Sequence, residues 1–249
     1  MQKQTQAVES SNAPLIGQVA VITGASHGLG QAIAEHLSEL GASLALIARR
    51  EEPLAEVVET LAQRGVRALP ISCDISDRAQ VASAAKQIVD VYERVDILVN
   101  NAGIPAPRSM AETAFEDWDE VMGANLSGAF YMTRALWDAL VADGAGYVIN
   151  ISGTSGVRGG SSPAYGSAKF GLTGLTHAIA ASGAEQNVRA TVLYPGGMDT
   201  GWRGAPTGKP AHESMSPAEV ARYVGYLVTT PREFVVNEAV LNPISEPFL

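Results

Sequence analysis

The stretch that most limits what this chain can fold into runs from Val19 to Leu40. Val19-Ala-Val-Ile-Thr23 is short, apolar and β-branched, which predicts a buried strand. Thr23-Gly-Ala-Ser-His-Gly-Leu-Gly30 follows at once, and beyond it Ala32, Ile33, Leu37 and Leu40 recur at helical spacing. Strand, glycine turn and helix therefore come in sequence. Gly24, Gly28 and Gly30 permit a tight turn and let a diphosphate approach the helix N-terminus, where unpaired N–H groups and the helix dipole attract anions. The spacing is GxxxGxG, so the general GxGxxG dinucleotide fingerprint is matched in context and not in letter.

The rest of the chain repeats the alternation. Further strands are predicted at Ser43–Ala48, Val66–Ser72, Val95–Val99, Tyr147–Ser152, Val188–Tyr194 and Val235–Leu241, with helical segments between them. No linker interrupts the series. The expected fold is one α/β domain over 14–249, a Rossmann-like doubly wound parallel sheet with helices on both faces, behind a flexible polar tail at 1–13. From Gly201 to Ser214 the sequence is rich in Gly, Pro and polar residues, and a substrate loop is expected at about 197–215. It holds Trp202, Arg203, Lys209, His212 and Glu213, a partly polar set.

Composition excludes several functions. The 249 residues carry 17 basic and 26 acidic side chains, a net charge of -9, with no basic run, which argues against a nucleic-acid partner. No apolar run approaches the roughly 18 residues of a membrane span, and the N-terminus lacks a signal-peptide core. The single Cys73 forbids an intrachain disulfide and reads as a small core residue. A cytoplasmic location is expected, and no metal site is predicted.

Chemistry enters at Tyr165-Gly-Ser-Ala-Lys169. On a helix, residues four apart emerge on the same face, which puts a phenol beside an ammonium. The cation favours the phenolate and brings the tyrosine toward the range useful for proton transfer. Strand ends supply further candidates. Ala48-Arg49-Arg50 stands where an acidic residue would hold the ribose of NAD; two arginines suit a 2′-phosphate, or are simply solvated. Asp74, after the third strand, could meet the adenine amino group or cap the helix from Arg78. Asn100-Asn-Ala-Gly103 could fix a loop beside a cofactor or serve as turn chemistry. Asn125 interrupts an apolar helical pattern running from Phe115 to Leu140, either as a satisfied core amide or as a bend with a freed carbonyl.

Taken together these motifs resemble the short-chain dehydrogenase/reductase family, over roughly Gly17 to the C-terminus. The resemblance rests on TGASHGLG at 23–30, Asp74, NNAG at 100–103, Asn125, YGSAK at 165–169 and PGGMDT at 195–200. It implies Tyr165 as proton donor or acceptor, Lys169 on the nicotinamide ribose and Asn125 on a relay water. Cofactor contacts are implied for Gly24, Ser26, His27, Gly28, Leu29 and Gly30, for Arg49, Arg50, Asp74 and Ile75, for Asn101, Ala102 and Gly103, and for Pro195, Gly196, Met198 and Thr200. The expected reaction is hydride transfer between NADP(H), favoured over NAD(H), and a small carbonyl or secondary alcohol substrate. A catalytically weak dinucleotide-binding sensor or assembly protein is the other reading. Related proteins pair the helix that carries the tyrosine, and here Ala168, Phe170, Leu172, Leu175 and Ile179 crowd it, so a homodimer or homotetramer is expected.

One departure from the family pattern stands out. Anchoring on Asn150 and Gly156 puts Gly153 where the family carries its substrate-orienting serine. Counting back from Tyr165 gives Ser152 instead. Ser152 is the expected serine, with Ser155 the other candidate.

Overall fold

The computed structural model describes residues 13–160, 162–200 and 213–246. The sequence expectations for Met1–Asn12 and for Trp202, Arg203, Lys209 and His212 lie outside the described residues.

Seven parallel strands form one sheet in the order β3-β2-β1-β4-β5-β6-β7. They are β1 (Val19–Thr23), β2 (Ser43–Ala48), β3 (Ala68–Ser72), β4 (Ile97–Asn100), β5 (Tyr147–Ile151), β6 (Arg189–Pro195) and β7 (Glu238–Leu241). The helices that cover it are α1 (Gly28–Glu39), α2 (Glu51–Gln63), α3 (Arg78–Tyr92), α4 (Phe115–Met122), α5 (Gly128–Ala135), α6 (Trp137–Val141), α7 (Ser155–Arg158), α8 (Pro163–Gly183) and α9 (Pro217–Val228).

Strand pleating divides the core. Ala20 and Ile22 of β1 join Leu44 and Leu46 of β2 against Ile33 and Leu37 of α1 and Val220 and Val224 of α9. Val19 and Val21 point the other way, with Ala45 and Ile47, against Val81 and Ile88 of α3, Met132 of α5 and Ile179 of α8. Being buried on both faces, these strands need continuous apolar runs, the pattern that made them legible. Deleting a leucine from such a core costs about 2–5 kcal/mol.

Order reversal at β1 positions the site. The chain leaves β1 toward β2 and later returns to β4 on the opposite side, so the C-terminal ends of β1 and β4 flank a crevice. Asp96 ties the other end together. Its buried carboxylate accepts from the Val19 N–H at 2.8 Å and from Arg94 at 2.6 and 2.9 Å.

The apolar stretch after Phe115 is a helix broken where Asn125 stands. A π-helical turn at Gly123–Ser127 separates α4 from α5. Among the described residues no helix is long and apolar enough to cross a membrane.

Candidate active site

The glycine turn is held from below. The N–H groups of Asn101 and Ala102 both donate to Thr23 Oγ1 at 3.0 Å, while Asn101 Nδ2 donates to the carbonyls of Thr23 at 2.9 Å and Gly24 at 3.3 Å. Turn and NNAG loop are thus one unit. A Cβ on Gly24 would stand 2.9 Å from Ala102 Cα, and one on Gly30 would stand 2.2 Å from the Gly24 carbonyl oxygen. These two glycines are required by packing inside the protein. Gly28 faces the cavity, with Thr200 Cβ 3.2 Å from where its own Cβ would be. His27 is the N-cap of α1 but makes no side-chain cap bond; its ring nitrogen meets Ser26 Oγ at 3.1 Å. Thr23 does more here than its place at a strand end suggested, since one hydroxyl organises two backbone amides.

Arg49 and Arg50 lie exposed where β2 ends and α2 begins, neither in an ion pair among the described residues. Asp74 does not cap α3. Asp77 does, accepting from the N–H groups of Ala79 at 2.8 Å and Gln80 at 3.2 Å, because it is the residue immediately before the first helical turn. Asp74 instead accepts from the Ser76 N–H and hydroxyl, at 2.9 and 2.7 Å. Ile75 is buried against Gly128, whose missing Cβ leaves room for it. Cys73 is buried too; desolvation, then the charges of Asp74 and Asp77, push its thiol up to about 11.

Asn125 is 1 % exposed, and its amide pairs with both backbone groups of Ile104: Oδ1 accepts from the N–H at 2.7 Å and Nδ2 donates to the carbonyl at 2.9 Å. It is both a satisfied amide and the residue of a helix irregularity.

A polar seam runs under the site. Asn100 Nδ2 donates to Asn150 Oδ1 at 2.8 Å and to Thr133 Oγ1 at 3.1 Å, and Asn150 Nδ2 donates to Thr176 Oγ1 at 2.8 Å. These bonds lock α5 and α8 to the sheet. Ser162 caps α8, Pro163 occupies its first turn, and Tyr165 and Lys169 follow on one face. Lys169 Nζ lies 5.6 Å from the Tyr165 ring centre and donates to the Ile151 carbonyl at 2.8 Å. Burial alone pulls its ammonium down to about 8.

At the end of β5, Ser152 turns its hydroxyl to the neighbouring helix. Its hydroxyl donates to the Lys169 carbonyl at 3.1 Å, and a Cβ on Gly156 would come within 2.2 Å of that oxygen. The hydroxyl is therefore committed to the α8 backbone and covered by Gly156. Gly153, with φ +142°, is the residue facing the phenol: a Cβ there would stand 3.4 Å from the Tyr165 hydroxyl oxygen. Ser155 and Thr154 line the same cavity.

Past β6, Gly196 and Gly197 carry the C-terminal segment on their bare faces. Gly197 N–H donates to Glu246 at 3.0 Å, and Gly196 N–H donates to the Leu241 carbonyl at 2.7 Å. Met198 bridges to Met215, so the two ends of the expected substrate loop are paired. Glu213 and Ser214, inside the expected substrate loop, line the cavity, and so do Arg108 and Glu246, which were not singled out from sequence; nothing in the local pattern of those two marks them, because remote loops bring them to the site.

Part of this set borders one cavity of about 630 Å³, while Ser26, Arg49, Arg50, Asp74, Ile75 and Asn125 are not among its lining residues. The glycine turn, Asn101–Gly103, Ser152, Gly153, Tyr165, Lys169 and Pro195–Thr200 all line it. The arrangement fits a dinucleotide: a turn without side chains at Gly28, an α1 N-terminus whose N–H groups lack a side-chain cap, and a phenol beside a buried amine. Among the described residues no group of three or more His, Cys, Asp or Glu is placed to hold a metal.

Comparison with known proteins agrees. The profile of the family described as short chain dehydrogenase matches residues 18–208. An uncharacterized oxidoreductase of Staphylococcus epidermidis is 30% identical over 229 residues, covering 91% of this chain and 97% of that protein. A glycine betaine reductase of Emericella nidulans is 32% identical over 98% of this chain, which corresponds to only 20% of that larger protein. Among solved structures, an alcohol dehydrogenase from the archaeon Thermococcus sibiricus, complexed with 5-hydroxy-NADP, superposes with a TM-score of 0.88 at 30% identity, covering 93% of this chain and 99% of that one. A metagenomic short-chain oxidoreductase in complex with NADP gives 0.81 at 32% identity, over 92% and 98%. With its sheet order, its glycine turn and its Tyr165–Lys169 pair on one cavity, this chain belongs to the short-chain dehydrogenase/reductase family of NAD(P)-dependent oxidoreductases.

Proposed function

We propose that the protein interconverts a small carbonyl compound and the corresponding secondary alcohol, with NADP(H) as cofactor and Tyr165 as general acid and base. The observation that carries this reading is that the glycine turn and the Tyr165–Lys169 pair border one cavity. The cofactor supplies the hydride when bound. Gly28 and the α1 N-terminus receive its diphosphate, and Lys169 and Thr200 hold its nicotinamide end. Tyr165 gives its phenolic proton to the carbonyl oxygen in reduction and takes the alcohol's proton in oxidation. Lys169 favours the phenolate that results, and Asn125, fixed on Ile104, holds a relay water.

The preference for NADP rests on Arg49 and Arg50, whose exposed guanidiniums at the end of β2 are free to grip a 2′-phosphate. The NADP and NADP derivative carried by the two solved relatives support it. Asp74 would take the adenine amino group. Exposed Phe130 on α5 and Phe170 on α8 support pairing of copies as a homodimer or homotetramer, and a buried, unreactive Cys73 suits a reducing cytoplasm.

A second reading has one observation in its favour. With the Ser152 hydroxyl bonded to the Lys169 carbonyl, glycine and not serine stands at position 153 beside the phenol, as a dinucleotide-binding protein with little turnover would allow. Oxidation of NADPH with a panel of ketones and aldehydes separates the two. Steady turnover abolished by Tyr165→Phe supports the enzyme, and tight NADPH binding without turnover supports the sensor.

A further inference from the structure

Gly153 shapes the space beside the reacting tyrosine. Its φ of +142° is one that L side chains rarely adopt, so the backbone presents a bare Cα to the cavity. Two oxygens bound the notch over it. A Cβ at this position would lie 3.4 Å from the Tyr165 hydroxyl oxygen and 3.7 Å from the Pro195 carbonyl oxygen, and among the described residues no other heavy atom outside its chain neighbours comes as close. Among the described residues the Pro195 carbonyl takes a long bond, 3.3 Å, from the Thr154 N–H, and a carbonyl has a second lone pair to offer. Ser152, the neighbouring hydroxyl, is directed into α8.

A phenol that can donate or accept and a carbonyl that can only accept together suit an O–H group. Two oxygens on adjacent carbons lie about one hydrogen-bond length apart when they are gauche. When the oxygen of the reacting carbon bonds Tyr165, a hydroxyl on the next carbon therefore falls in the notch and donates to Pro195. We propose that Gly153 makes the site selective for α-hydroxy carbonyl compounds, and for vicinal diols in the reverse direction, by admitting this second hydroxyl where a side chain would stand. The inference rests on the reading of Tyr165 as the acid and base. A water could supply the same O–H chemistry, and the test separates the two sources.

Two matched pairs serve as probes, hydroxyacetone against butanone and α-hydroxyacetophenone against propiophenone, in which a methyl replaces the hydroxyl. In the unmutated protein kcat/KM with NADPH should favour the hydroxy ketone of each pair by about tenfold, as one well-placed hydrogen bond allows. Gly153→Ala fills the notch and should bring that ratio close to one, mainly by slowing the hydroxy ketone, while NADPH binding followed by fluorescence stays within a few-fold. The ratio in the unmutated protein stands as a test by itself if Gly153→Ala proves too strained to fold. A ratio near one in the unmutated protein overturns the inference. So does a Gly153→Ala variant that slows both members equally, the result expected of a bound water. Failure of the unmutated protein to turn over any carbonyl compound would overturn the oxidoreductase reading as well, a result distinct from turnover without selectivity.

Discussion

Lys169 Nζ donates to the Ile151 carbonyl at 2.8 Å, anchoring the ammonium beside Tyr165 to the end of β5. Burial brings its pKa from 10.5 down to about 8. Between those values the unfolded chain binds a proton that the folded protein does not, so stability rises with pH across that window. Below it the full cost of a buried charge is present, on the order of 3 kcal/mol. Relative to Lys169→Met, the unmutated protein without cofactor should therefore gain stability as pH climbs from neutral to midway between the two values. Urea unfolding at both pH values measures this, and the pH trend carries the test because Met also forfeits the Ile151 bond. A trend of opposite sign would mean that a partner stabilises the charge.

Tyr165→Phe keeps the ring and removes the transferable proton. Turnover should fall by about 10²–10⁴-fold, while NADPH affinity changes little because the ring keeps its place. Loss of cofactor binding in parallel with turnover would mean that Tyr165 supports the dinucleotide and not the chemistry.

Cofactor choice depends on Arg49 and Arg50. The unmutated protein should show a higher kcat/KM with NADPH than with NADH, and Arg49→Asp should shrink or invert that ratio by removing a phosphate partner and adding a carboxylate that repels the phosphate. Equal efficiency with both cofactors before mutation would remove the case for a 2′-phosphate site at the end of β2.

Ser152→Ala should act on the fold more than on the reaction. Its hydroxyl bonds the Lys169 carbonyl under the cover of Gly156, so its loss should cost about 1 kcal/mol of stability and leave single-turnover hydride transfer within a few-fold. A loss on the order of a hundredfold in that step, as when an oxyanion donor is removed, would restore Ser152 to the substrate.

The fold was legible because strands buried on both faces must be continuous apolar runs, and each is followed by helical spacing. Edges were less so. β7 begins at Glu238 and not Val235, because the register with β6 starts at Val192, and the Val236 carbonyl is taken instead by the Thr191 hydroxyl. β3 begins at Ala68, where the register with Leu44 starts, and Arg67 contributes only its carbonyl to the Leu44 N–H. Asp74 and Asp77 look alike in sequence, and only the position of the first helical turn decides which one caps. At the site, Tyr165, Lys169, Asn125 and the glycines announced themselves by type and spacing. The direction of the Ser152 hydroxyl did not. It follows from the backbone angle at Gly153 and from the bare face of Gly156, neither of which a residue count can register. Glu246 and Arg108 line the same cavity only because separate loops converge there.

Asn125 carries a liability of a different kind, the slow hydrolysis of amides in stored protein. Its Oδ1 and Nδ2 match the N–H and carbonyl of Ile104, acceptor to donor and donor to acceptor. Deamidation would keep the size of the side chain while turning the donor into an oxygen, setting a carboxylate against the Ile104 carbonyl in a buried place. Loss of this one amide on ageing would unseat the loop that carries Gly103 and leave the sheet standing, so a sample could keep its folded spectrum while its active fraction declines.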